Sequence, residues 1–100
     1  MGTSLKGAAF LMESRFEDAA RGDPDALYEL GVVYSTGTHG IEVDLIEAHK
    51  WFNLAALNGS ERGQESRAEI AEEMSAREIA EAQRQARAWL SETSQRRAAA

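Results

Sequence analysis

The stretch from Ala26 to Gly59, ALYELGVVYSTGTHGIEVDLIEAHKWFNLAALNG, constrains the fold more than any other part of the chain. Leu27, Leu30, Gly31 and Tyr34 recur at the i, i+3, i+4, i+7 spacing of one helix face. Leu45, Ala48, Phe52 and Ala55 line a second such face, with Trp51 and Ala56 beside it. Gly37 and Gly40 break the pattern between them, and Ile41 and Val43 alternate in a connector expected to tuck both side chains under the turn. The ends are also marked. Asp23-Pro24-Asp25 offers a side-chain cap, a ring suited to the first helical position and a favourable charge at the positive helix end. Asp44, with Glu47 three residues on, resembles a capping box. Gly31 inside a helix costs about 1 kcal/mol relative to Ala, which predicts a close approach by the next helix. The stretch reads as one helix–loop–helix hairpin.

Its flanks are helical too. Ala8 to Arg21 has Ala9, Met12, Phe16, Ala19 and Ala20 on one face, closed by Gly22. A polar segment over about 62–73 carries a weak stripe of Ala68, Ala71 and Met74 with Ile70 adjacent, and Gly63 weakens its start. Ser75 and Glu78 form a capping box that opens a last helix over about 76–91, with Ile79, Ala82, Ala86 and Leu90 as its apolar face and Trp89 flanking it. Residues 1–7 and 93–100 read as disordered ends. The expected fold is therefore all-α, one domain over 8–92 with about five helices.

The bulk properties exclude several function classes. A hydrophobic fraction of 43% with 28% charged residues suits a folded globular domain rather than a disordered chain. The absence of cysteine removes disulfides, a thiol nucleophile and cysteine-based metal sites. A net charge of −6 argues against a general nucleic-acid binder. The apolar run from Gly7 to Met12 is too short for an export signal, and no run approaches a membrane span. The expectation is a cytoplasmic protein with no membrane and no nucleic-acid partner.

Phe16-x-x-Ala19-Ala20 returns 36 positions later as Phe52-x-x-Ala55-Ala56, each followed by a glycine, Gly22 and Gly59. A period of this length marks arrays of helical hairpins, in which each hairpin covers apolar surface left open by its neighbour. The string Ala26…Leu30-Gly31-x-x-Tyr34-x-x-Gly37…Gly40-Ile41-x-x-Asp44-x-x-x-Ala48-x-x-Trp51-Phe52-x-x-Ala55-Ala56-x-x-Gly59 resembles the Sel-one-like repeat (SLR) family, relatives of the tetratricopeptide repeats. Ser75 to Trp89 is similar to a helix that follows such repeats in bacterial members. The resemblance implies an antiparallel helix-hairpin repeat, a fragment of a right-handed superhelix, with one full repeat over about 26–59 and degenerate flanks. The segment after Gly59 lacks the Leu-Gly…Tyr pattern, and Gly63 stands where the family usually has alanine. Such arrays usually need about three repeats for stability. That leaves two explanations: the flanking helices act as caps, or the protein self-associates through an open end.

No HExxH, P-loop or GxSxG string occurs, so no catalytic residue, cofactor or metal site is assigned and the chain is expected not to be an enzyme. His39 lies in the loop, and His49 falls on the polar side of its helix with Lys50 and Asn53, so both read as solvent-facing. Glu72-Glu73 are consecutive and do not share a helix face. Trp51 and Trp89 read as core residues. Opposite the Leu27–Leu30–Tyr34 stripe stand Asp25, Tyr28, Val32, Ser35 and Thr36. By resemblance to tetratricopeptide-type repeats, that side lines a concave surface that binds peptides, unless the flanking helices, the last one above all, cover it. The functional expectation is a protein–protein interaction module or adaptor taking a peptide or helix there. A homodimer completing its solenoid end is the alternative. A nucleic-acid-binding regulator using Arg84, Arg87, Arg96 and Arg97 is the weakest of the three.

Overall fold

Each helix begins and ends where local chemistry satisfies its free backbone groups. A computed structural model of the chain describes residues 3–99, with side chains described over 9–96. It contains α1 (Thr3–Ala20), α2 (Pro24–Thr36), α3 (Leu45–Leu57), α4 (Glu61–Ala71) and α5 (Ala76–Ala99). The Asp23 carboxylate accepts from the backbone N–H of Asp25 at 2.9 Å and of Ala26 at 3.4 Å, and Pro24 fills the first turn. Gly37 ends α2 in the left-handed region at φ 74°, donating its N–H to the Val33 carbonyl at 2.8 Å. The connector returns to α2 through the Asp44 N–H, which donates to the Tyr34 carbonyl at 2.9 Å. Ser75 and Glu78 form the reciprocal box the spacing predicts: the Ser75 N–H donates to Glu78 Oε1 at 2.8 Å, and the Glu78 N–H to Ser75 Oγ at 3.1 Å. The Asp44 box is only half made. Asp44 accepts from the Glu47 N–H at 3.1 Å, but the Glu47 side chain instead receives Lys50 Nζ at 3.1 Å and Trp51 Nε1 at 3.0 Å.

The hairpin α2–α3 is the centre of the molecule, and α3 is covered on three sides, by α2, α4 and α5. Leu27, Leu30, Leu54, Trp51 and Phe52 are fully buried. The glycines of the sequence argument act at these contacts. A Cβ on Gly31 would lie 2.4 Å from the Phe52 ring, so only glycine lets α3 approach α2 this closely. Gly63 has the same use at the α3–α4 contact, where a Cβ would lie 2.8 Å from that of Ala55. The residue that weakens the start of α4 is thus also what seats it.

The all-α hairpin-repeat architecture stands as expected, and the differences lie at the flanks. α1 starts at Thr3 rather than Ala8, and α5 runs to Ala99 rather than ending near Ser91. Met1, Gly2 and Ala100, also assigned to disordered ends, lie outside the described residues. The extension of α5 has a packing anchor: Thr93 is only 5% exposed and its hydroxyl donates to the Trp89 carbonyl at 2.9 Å. Ala9 is exposed although the spacing places it on the buried face of α1; among the described residues of α1 the first buried one is Met12. Ile41 packs against the core, but Val43 is exposed. Ala68 is also exposed, because it falls on the outer side of α4 with Glu61, Gln64 and Glu65.

Candidate functional site

α5 decides which surface of the hairpin remains open. It does not pair with α4 as the second helix of a next hairpin. It turns back and packs on α3. Its buried positions are Ala82, Ala86 and Thr93, with Trp89 between them meeting Trp51 edge-on, ring centres 4.8 Å apart. Trp51 in turn meets Phe16 of α1 at 5.7 Å. The aromatic row Phe16–Trp51–Trp89 ties α1, α3 and α5 together, so the two tryptophans are core residues as the sequence implies. Leu90, assigned to the buried face of α5, is 37% exposed, because Trp89 and Thr93 take the inward direction.

The face of α2 that carries Tyr28 and Val32 is therefore not covered by the last helix. Tyr28 and Val32 line an open groove of about 360 Å³ together with Val33, the Arg15–Glu29 ion pair, and Thr38 and His39 of the loop. His39 holds a left-handed backbone at φ 57°, which turns the loop at the groove's edge. Tyr28 is backed by the buried Phe52 ring at 5.5 Å, so it is a half-buried aromatic in a fixed place. The other expected residues do not line this groove. Asp25 is exposed in the first turn of α2. The hydroxyls of Ser35 and Thr36 both donate to the Val32 carbonyl, at 3.1 and 2.7 Å, and are engaged within the helix.

His49 corrects the sequence reading most sharply. It is 3% exposed rather than solvent-facing, and its Nδ1 has no hydrogen-bond partner among the described residues. Lys50 and Asn53 make its side of α3 look polar, yet α4 lies along that side, where Arg67 donates to Asn53 Oδ1 at 2.6 Å. Burial first, then the nearby Arg67 cation, pushes the His49 pKa below its ordinary 6.5. Spacing around Ala48 and Phe52 could have found it only with the knowledge that α3 has neighbours on three sides.

The basic C-terminal residues are partly neutralised. Arg84 Nε and Nη2 donate to Glu81 at 2.8 and 2.5 Å, and these bonds, with one from Gln85, hold the Glu81 carboxyl down to about 2. Arg87 and Arg96 are exposed, and the side chain of Arg97 lies outside those described. Among the described residues no three His, Asp or Glu side chains gather as a metal site, and no helix is long and apolar enough to cross a membrane.

The Sel1 repeat family matches the chain over residues 24–60. Those bounds coincide with α2, the glycine loop, α3 and the Ser60 cap of α4. No curated protein and no solved structure matches the chain.

Proposed function

Starting from a chain that carries a Sel1 repeat at residues 24–60, and so is a Sel1-like helical-repeat protein, we propose that it is a non-enzymatic adaptor that docks a peptide or helix on the Tyr28–Val32 face of α2. Sel1 repeats are in general protein–protein interaction modules. The observation that carries the finer reading is the placement of α5 on α3, which leaves the Tyr28–Val32 groove open. Its chemistry suits an apolar anchor. Tyr28, Val32 and Val33 supply a floor, and the Arg15–Glu29 pair, Thr38 and His39 supply a polar rim. An aromatic with a polar tip, held by the core, loses little conformational freedom when a partner binds. Asp25, Ser35 and Thr36 lie outside the groove's lining, and the Ser35 and Thr36 hydroxyls are taken up by the Val32 carbonyl.

The test is a pull-down comparing the wild type with a Tyr28→Ala/Val32→Asp variant, both shown to be folded by circular dichroism. Loss of specific partners from the variant is the expected result, and an unchanged bound set rejects this face.

A second reading, self-association, is favoured by one observation. Phe10 and Leu11 on α1 are 70% and 41% exposed, and large apolar side chains this open are the raw material of an interface. Light scattering across a concentration series decides it: a rise toward twice the monomer mass supports a homodimer, and a strict monomer at the highest concentration removes the idea.

A further inference from the structure

Arg62, in the first turn of α4, bridges to the candidate site from its other side. Its guanidinium carbon lies 4.3 Å from the centre of the Tyr28 ring. Phe52 backs the same ring from the core. The cation is therefore held over a ring that is itself fixed, and a stacked guanidinium keeps its N–H donors at the edge of the stack. Arg15, Arg21, Lys50 and Arg84 each have a carboxylate partner, and Arg67 donates to Asn53. Arg62 forms no ion pair and no hydrogen bond from its side chain among the described residues, the glutamates of its own helix included. It is an exposed, oriented and unpaired donor fork beside an apolar groove.

The geometry points to an acidic, amphipathic peptide as the occupant of this face: an apolar side chain enters the groove beside Tyr28 and Val32, and a carboxylate accepts from Arg62. This rests on the docking reading above and names the chemistry of its ligand. A carboxylate is the complement of an arginine fork, because two parallel N–H···O bonds fit its two oxygens. The chain's net charge of −6 opposes long-range attraction of such a peptide. Arg62 thus acts at short range, as a selectivity contact rather than a steering field.

The test uses short synthetic peptides with one fixed Leu or Phe and a single Glu, Gln or Lys walked along the other positions, with binding read by fluorescence anisotropy. At one spacing Glu binds about tenfold or more tightly than Gln, the size expected of a hydrogen bond to a charged group. Arg62→Gln, an exchange at an exposed position, erases that difference between the Glu and Gln peptides. Arg62→Lys restores only part of it, since an ammonium lacks the fork. Glu no better than Gln at every spacing overturns the inference, as does an advantage that survives Arg62→Gln. Peptides that bind without a Glu preference, and are lost in Tyr28→Ala/Val32→Asp, overturn it while the docking reading stands. Failure of every peptide overturns both.

Discussion

At the scale of single residues, Gly31 and His49 show two opposite kinds of legibility. Gly31 declared itself in the sequence because a glycine inside a helix is locally unfavourable and needs a tertiary reason, and the Phe52 ring supplies it. Gly31→Ala gains about 1 kcal/mol of helix propensity but forces a Cβ into the ring, a kind of overpacking that costs about 1–3 kcal/mol. The expected outcome in urea unfolding is a net loss of about 1 kcal/mol, smaller in a Phe52→Leu background where the ring is gone. His49 was not legible, because its neighbours in sequence are polar while its neighbours in space come from α4. Its pKa is lowered on folding, so below 6.5 the unfolded chain takes up a proton that the folded chain resists. Stability therefore falls as pH drops from 6.5 toward the folded-state value, and is at its full level above 6.5. The slope is at most about 1.4 kcal/mol per pH unit for one proton. Urea midpoints measured across that range should show the fall in the wild type and its absence in His49→Leu.

At the scale of elements, most caps were read correctly because their chemistry is confined to a few adjacent residues, the half-made Asp44 box and the exposed Val43 of the connector excepted. Asp23-Pro24, Gly22, Gly37 and the Ser75–Glu78 box all formed as their spacing implies. Ser75→Ala should lower stability by about 1 kcal/mol through loss of that cap. Helix lengths and outer faces were read less well. The end of α5 extends because Thr93 is buried against a neighbour, and Ala68 faces out because no helix pairs with that side of α4, facts set by topology rather than by local pattern. The docking of α5 rests on Trp89 and on small buried residues. Trp89→Ala removes the edge contact with Trp51 and should cost about 2–3 kcal/mol, below the usual range for a fully buried tryptophan because Trp89 is half exposed. Hydrogen exchange should then show α5 losing protection before α2 and α3 do.

At the scale of the whole molecule, the hairpin and its family resemblance were legible, whereas the open face was not. Knowing that α5 returns to α3 required knowing that it does not pair with α4, and nothing between Glu72 and Ser75 encodes that choice visibly. If the exposed apolar side chains of α1 support association, Phe10→Glu/Leu11→Ser should reduce the mass seen by light scattering at high concentration while changing the monomer's unfolding free energy by only about 0.5 kcal/mol, as expected for exposed positions. The two outer helices of the stack differ in kind. α1 presents Phe10 and Leu11, and α4 presents Glu61, Gln64, Glu65 and Ala68. Head-to-tail stacking sets apolar rings against carboxylates and leaves both without their complement. If copies associate through Phe10 and Leu11, like ends meeting across a two-fold axis are the favoured arrangement, and it closes after two molecules.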